Sequence, residues 1–314
     1  MRPRNATLRR LIVGLAAYAL SAGTFACGED SGEGSSESTA PNASPRAAPV
    51  VVEPDPVLEA PTVDGVLGLL AQDHRRARRA LGRHRLSYTA DLSLVPPQLP
   101  RPTPGDRLPI AREVHDELVL SWAGDDDREP ALHLRQGPAE ETSRELVILG
   151  EETYSRLPHR GWLHRTIDSE LHWTWLDDAE RAVHDIVAFA APQLTITVAS
   201  SDDERVTLKL SRAAERRPVR TPEPATWRGK AELTAIDGAL VLDREHGLWQ
   251  SAELKVAYTV VDEEGRTLTG EASLSAQREV IPGLEVAAPA TSAPFPERIR
   301  YDVERRRLLD GLAR

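Results

Sequence analysis

His115, Asp116 and Glu117 are the residues of this chain whose types and spacing come nearest to a metal site. If they lie on a strand, His115 and Glu117 share one face, where an imidazole and a carboxylate could ligate a metal. No third ligand is evident at a matching spacing. The favoured interpretation is therefore a solvated strand face.

Other histidines and acids are also close together in the sequence. His184 and Asp185 are neighbours on a predicted helix, so they diverge by about 100° and are not expected to face one another as a base and its orienting acid. His159, His164 and His172 could meet at a ligand mouth or act as a pH switch. Scattered surface histidines are the favoured interpretation of these three.

Signatures of catalysis are missing from the sequence. It has no Gly-x-Ser-x-Gly elbow, no His-Glu-x-x-His zinc helix and no phosphate loop. The aspartates at 125–127 and 177–178 lack the spaced oxygen ligands of a calcium loop. We therefore expect no enzyme activity, no catalytic residues, no metal and no cofactor.

Cys27 is the only cysteine of the chain, and it follows an apolar segment. Four arginines lie within the first ten residues, before the apolar run at 11–26. As a helix this run would span about 24 Å, less than the roughly 30 Å hydrocarbon core of a bilayer. Residues 1–26 are therefore predicted to be a secretory signal peptide.

The position of Cys27 resembles the lipidation site of bacterial lipoproteins. That resemblance implies that Cys27 becomes the mature N-terminus, carries acyl chains such as palmitate, and anchors an exported protein to a bacterial membrane, on its periplasmic or cell-surface side. An ordinary signal cleaved near Ala26, leaving a free thiol, is the alternative.

Residues 27–60 are rich in Gly, Ser, Glu, Ala and Pro, and this composition predicts a disordered tether. Residues 61–314 are predicted to form a single domain. The signal peptide holds four arginines and no acids, so without it the formal charge falls from −10 to −14. Such an acidic protein is not expected to bind nucleic acid or to adhere to anionic lipid by charge.

Hydrophobic periodicity predicts an α+β domain: a large curved antiparallel sheet, or half-barrel, of about ten strands in consecutive hairpins. An N-terminal helix at 63–81, an inserted helix from 168 or 169 to 190 and a C-terminal helix at 297–312 are expected to cover it. Asp237-Gly238 is predicted to be a tight hairpin turn between strands 230–236 and 239–243, and Glu245-His246-Gly247 a second turn.

This order of elements resembles the periplasmic lipoprotein-carrier superfamily, the LolA-like and mycobacterial glycolipid-carrier lipoproteins. Local similarity lies in the strand and turn at 153–162, ahead of the inserted helix, and in the Asp-x-x-x-Gly-Leu turn within 240–249. The resemblance implies a half-barrel whose open side is closed by helices around an apolar cavity for acyl chains. It implies no catalytic residues.

Leu118, Leu120 and Trp122 alternate onto the inner face of a predicted strand, and Trp175 lies on the helix face that covers it. These four are the candidate residues to line a cavity for a lipid or a lipoprotein acyl chain. A filled core requires the same residues. The alternative function is therefore a non-catalytic interaction module of the cell envelope, which would bind its partner through an edge or the Pro-rich loops at 95–109 and 217–225.

Overall fold

The computed structural model describes residues 53–71, 74–97, 111–124, 130–166, 171–217, 231–262 and 265–295. Within these ranges the chain forms five α-helices and twelve strands. The helices are α1 Pro54–Glu59, α2 Val63–Leu70, α3 His74–Leu81, α4 Leu171–Glu180 and α5 Ala182–Ala190. The strands are β1 His84–Val95, β2 Arg112–Trp122, β3 Ala131–Gln136, β4 Arg144–Leu149, β5 Glu152–Arg156, β6 Leu163–Thr166, β7 Leu194–Ser201, β8 Arg205–Arg212, β9 Glu232–Asp243, β10 Trp249–Val261, β11 Thr267–Val280 and β12 Ala293–Pro294.

All twelve strands belong to one open, curved sheet, in the order β12-β6-β5-β4-β3-β2-β1-β11-β10-β9-β8-β7. Neighbours are antiparallel except β12, which pairs with β6 in parallel. Strand β1 pairs with β11 from His84↔Val280 to Val95↔Thr269. This long pairing joins the N-terminal and C-terminal halves of the sheet into one surface.

The sheet has two chemically different faces. On β10, Leu254, Val256 and Tyr258 are buried, whereas Glu253 and Lys255 between them are exposed. We call the side that packs against the helices the inner face and the opposite side the outer face. The strict alternation follows from the period of two in a strand, which sends successive side chains to opposite faces.

Helix α5 covers the middle of the inner face. Val183, Ile186 and Val187 are buried, and the Phe189 ring packs edge-on against Tyr258 with centroids 4.9 Å apart. Pro192 follows in a short 3₁₀ turn at Ala191–Gln193 and leads into β7. Helix α2 joins the same hydrophobic core through Val66, Leu69 and Leu70.

Two aspects of the predicted fold are confirmed. The α+β class dominated by a curved antiparallel sheet is correct, and the turn before β10 contains Gly247 at a φ of 64°. In that turn both Asp243 carboxylate oxygens accept backbone hydrogen bonds, from His246 N and Leu248 N, each at 2.7 Å. The expected strand count of about ten is too low, because twelve are present in the described ranges.

The predicted hairpin at Asp237-Gly238 is wrong, because β9 runs through both residues without a turn. Gly238 pairs with Leu254 of β10 and Leu210 of β8. A Cβ at position 238 would lie 2.7 Å from Glu253 O and from Leu254 Cδ2. The glycine therefore permits close packing inside a strand, which the Asp-Gly pattern alone does not distinguish from a turn.

The helices also depart from the predicted boundaries. The expected helix at 63–81 is divided into α2 and α3, and the inserted helix is divided at Arg181 into α4 and α5. Helix α1 lies within the segment predicted as a disordered tether, and its Leu58 is only 1% exposed. Ordered structure therefore begins before residue 61, because Leu58 contributes to the core.

Several predictions concern residues outside the described ranges: the signal peptide, Cys27, most of the tether, most of both Pro-rich loops and the C-terminal helix. Among the residues that the structure does describe, no helix combines the length and the apolar character needed to cross a bilayer.

Candidate functional site

A large cavity among the described residues lies on the outer face, where five strands run side by side. The strand register aligns outward-facing residues into two rows that cross β2, β1, β11, β10 and β9. The first row is His115, Asp91, Ser273, Lys255 and Asp237, and the second is Glu113, Ser93, Glu271, Ala257 and Ala235. These ten residues line an open trough of about 640 Å³, and we call this feature the outer trough.

Small side chains leave room in the outer trough. Ser273 is the middle residue of the first row, and the second row contains Ser93, Ala257 and Ala235. Ser273 is flanked across the strands by Asp91 and Lys255, and Ser93 by Glu113 and Glu271, whereas Ala257 and Ala235 lie side by side. The depression therefore follows from side-chain size on neighbouring strands, and its volume falls within the roughly 300–1,000 Å³ of ligand sites.

Negative charge dominates the outer trough. Its lining includes the carboxylates of Asp91, Glu113, Asp237 and Glu271, against the single ammonium of Lys255. The remaining ionisable group is His115, which stands beside Asp91 in the register.

His115 contacts two carboxylates at one end of the trough. Its Nδ1 lies 2.6 Å from Asp91 Oδ1, and its Nε2 lies 3.0 Å from Glu117 Oε1. These hydrogen bonds, the one to Asp91 first, raise the pKa of His115 because they favour the charged imidazolium. The predicted pairing of His115 with Glu117 on one face is thus present as a hydrogen bond, and no group of three metal-ligating side chains occurs among the described residues.

Three of the four predicted ligand-lining residues are buried in the core. Leu118, Leu120 and Trp122 are 2%, 1% and 1% exposed. The Trp122 indole donates to Gly124 O at 2.8 Å, and the Arg78 guanidinium lies over its ring at 4.6 Å. Trp175 is half-buried, with the Arg144 guanidinium 4.2 Å from its ring centroid.

Little space remains between helix α5 and the inner face. The cavity at this seam has a volume of about 20 Å³ and is lined by Ala90, Leu92, Val114, Ala182 and Ile186, among others. Such a volume is enough for about one water molecule. In this structure the inner face therefore packs as a filled core at the seam where the carrier hypothesis places a ligand.

A polar network at the edge of this seam was not predicted from the sequence. Gln136 Nε2 donates to both Asp116 oxygens at 2.8 and 2.7 Å, and Tyr88 Oη donates to Asp116 Oδ2 at 3.2 Å. Arg144 Nε donates to Gln136 Oε1 at 2.7 Å. Burial, followed by the charge of Asp116, raises the pKa of the Tyr88 phenol, and burial lowers the pKa of Arg144. These hydrogen bonds offset the cost of placing the Asp116 carboxylate on an otherwise apolar face of the sheet.

A second buried cluster ties helix α4 to the sheet. Arg278 on β11 forms an ion pair with Glu180 of α4, and both side chains are at most 4% exposed. The guanidinium also lies 4.3 Å from the centroid of the Trp249 ring. His84 Nε2 lies 4.0 Å from Glu180 Oε1, and its Nδ1 lies 2.8 Å from Gly82 O. Apart from His84 and Gly82, the residues that make these contacts are far apart in the chain, so their spacing in the sequence does not indicate them.

The structure describes the surroundings of two of the three histidines that could meet at a ligand mouth. His164 Nδ1 lies 3.1 Å from Ser292 Oγ, whereas His159 occupies an exposed turn with a φ of 57°. The side chain of His172 lies outside the described residues.

The expectation for His184 and Asp185 is wrong: their side chains meet, with Nδ1 2.9 Å from Oδ1. The Cβ atoms of helical neighbours diverge, but rotation about the side-chain bonds can still bring the tips together. This pair lies on α5 away from both cavities described above.

No protein-family model and no curated protein matches this chain. Among solved structures it is similar to MucB in complex with MucA(peri), at 12% identity and a TM-score of 0.24 over 73% of this chain and 59% of that one. The MucA/MucB complex of Pseudomonas aeruginosa is similar at 14% identity and a TM-score of 0.23, over 72% and 58%. A DUF1329 family protein of Desulfovibrio piger is similar at 8% identity and a TM-score of 0.23, over 71% and 95%. The chain thus spans less than two thirds of the MucB chains, and at these TM-scores the similarity assigns no family.

Proposed function

We propose that this chain is an exported, non-enzymatic binding module of the bacterial envelope that takes a partner on the outer face of its sheet. One observation carries the proposal. The outer trough offers about 640 Å³, whereas the seam beneath helix α5 offers about 20 Å³. Of these two spaces, only the one on the face that the helices leave open has the volume of a ligand site.

The lining of the outer trough suits a polar partner. Four carboxylates, an ammonium and an imidazole contribute to its surface, alongside serines, alanines and the apolar residues Leu92, Val114 and Val256. An acyl chain would strip water from these charged groups without replacing their hydrogen bonds, which costs free energy. A protein segment can pair with them through its own charges and backbone.

The envelope location in this proposal rests on the N-terminal sequence. The arginines, the apolar run and Cys27 support export followed by acylation of Cys27, so that the domain is held at a bacterial membrane. A tethered domain of this kind would meet its partner at the membrane surface.

Site-specific photo-crosslinking in the producing cell tests the proposal. A photoreactive amino acid is placed at Ala257, in the outer trough, and in a matched control at Ala239, on the outer face of β9 outside the trough. We expect one discrete adduct from position 257 and none from position 239. Equal adducts from both positions, or none from position 257, would contradict a partner site in the trough.

Lipid carriage is the second candidate function, and the apolar lining of the α5 seam favours it. Outward movement of α4 and α5 would open this seam onto Leu118, Leu120, Trp122 and Trp175, and an acyl chain would gain roughly 0.8 kcal/mol per buried methylene. Leu118→Trp and Leu120→Trp test it. Loss of a bound lipid with the fold retained would support a cavity, and unfolding of both variants would indicate a filled core.

A further inference from the structure

We infer that the occupant of the outer trough is an extended basic segment of a partner protein, six or so residues long and rich in Arg or Lys. The inference rests on the proposed function, because it names the chemistry of the partner for the same site. Length, charge and shape each support it.

The length of the outer trough matches a short extended peptide. Its two rows cross five strands, from β2 to β9. Four steps of about 4.8 Å between neighbouring strands give a length of about 19 Å, and an extended chain covers this distance in about six residues at 3.3 Å each. A single amine or inorganic cation would occupy a small part of it.

Charge in the outer trough selects a cationic partner. The side-chain carboxylates of Glu113, Asp237 and Glu271 make no hydrogen bond and no ion pair with any residue that the structure describes. Their charges are therefore available to a ligand, in contrast to Asp91, which already pairs with His115. A phosphate-rich partner or an acidic peptide would meet four carboxylates against one ammonium and the His115 imidazole, and would be repelled.

The shape of the outer trough suits the side chains of Arg and Lys. Ala257, Ala235 and the serines at 93 and 273 provide a small-residue floor, and the carboxylates flank it. Long basic side chains can lay their aliphatic stems on such a floor while their charged ends reach the carboxylates. The floor and the charges together therefore favour an Arg- or Lys-rich segment.

The test measures binding of two labelled hexapeptides to the full chain in detergent by fluorescence anisotropy. One probe is acetyl-Arg-Ser-Arg-Ser-Arg-Ser-amide, and the other has Glu in place of each Arg. The test variant carries Glu113→Gln with Glu271→Gln. The control variant carries Asp203→Asn with Glu204→Gln, which removes the same charge from the exposed turn between β7 and β8.

We expect the basic probe alone to bind. Its Kd should rise roughly 2- to 30-fold in the test variant, as two exposed ion pairs allow, and should stay unchanged in the control. Its binding should also weaken as salt rises from 50 to 300 mM, because salt screens exposed charges. Equal weakening in both variants, or no binding of the basic probe, would overturn the inference.

An Ala257→Trp variant distinguishes failure of this inference from failure of the proposed function. If the acidic probe binds and Ala257→Trp abolishes its binding, the basic partner is wrong but the outer trough remains a binding site. If the basic probe binds equally well to Ala257→Trp, the trough is not where it binds, and both proposals fail.

Discussion

Neighbouring residues of the same strand have opposite roles on the two faces of this sheet. On β10, Leu254 and Val256 are 3% exposed and belong to the core, whereas Lys255 and Ala257 line an open trough. Helices α2 and α5 pack in the core on the inner side, whereas no helix that the structure describes covers the open trough on the outer face. The comparison teaches that the apolar face of a curved sheet need not be the face that keeps open space.

Charged groups follow the same division. On the inner side, Glu180 is paired with Arg278, and Asp116 accepts hydrogen bonds from Gln136 and Tyr88. In the outer trough, Glu113, Asp237 and Glu271 have no such partners among the described residues. Buried charges need internal partners to offset the cost of desolvation, whereas exposed charges are hydrated and need no partner within the protein.

The largest expected effect comes from breaking the buried ion pair on the inner side. Glu180→Leu leaves the Arg278 guanidinium buried without its carboxylate, and we expect the free energy of unfolding to fall by about 3–5 kcal/mol. Urea unfolding measures this loss. Addition of Arg278→Met should restore most of it, and a double variant no more stable than Glu180→Leu would contradict the account.

A somewhat smaller effect is expected from a cavity in the core. Leu120→Ala should lower the free energy of unfolding by about 2–5 kcal/mol, because Leu120 is 1% exposed and packed on all sides. The matched control is Val119→Ala, at the preceding residue, which lies on the outer face. It should lower the free energy of unfolding by well under 1 kcal/mol. Equal costs for the two would show that the inner face is not packed as described.

Filling the outer trough should change binding but hardly change stability. Ala257→Trp occupies the floor of the trough, and we expect the free energy of unfolding to stay within about 0.5 kcal/mol of the wild type. The same variant should lose binding of the basic hexapeptide, whereas Ala239→Trp should keep it. Strong destabilisation by Ala257→Trp would mean that this position is part of a packed interface.

The smallest expected effect is a pH dependence at the end of the trough. Hydrogen bonds to Asp91 and Glu117 raise the pKa of His115 above its ordinary value of about 6.5. Their contribution to stability is full below the unfolded-state pKa and is lost as pH rises through the raised folded-state pKa. NMR titration should show this raised pKa, and Asp91→Asn should lower it. An unchanged pKa in that variant would contradict the assigned cause.

The sequence predicts which residues of a strand share a face, because that depends only on a period of two. On β10 the apolar residues at 252, 254, 256, 258 and 260 alternate with other residues in the sequence, and these five are the buried ones. A local sequence pattern predicts structure less well where the same residue type suits two different structures. Gly238 follows an aspartate as in a tight turn, but it serves close packing against Leu254.

The outer trough could not be predicted from the sequence, because it depends on the order and register of five strands. His115 and Asp237 belong to one row although more than a hundred residues separate them in the chain. The ion pair of Glu180 with Arg278 could not be predicted either, because the two residues are 98 positions apart in the chain. Periodicity shows which side chains point inward, but the space that remains on either face depends on what packs there.

Native mass spectrometry of the full chain, purified in detergent from a bacterial host, tests the filled interior most directly. We predict the mass of the protein with only its covalent modifications, unchanged after incubation with phospholipid vesicles. An additional mass that is lost on gentle activation and extracts into organic solvent would contradict the account, because it would place a lipid in the space that we assign to the core.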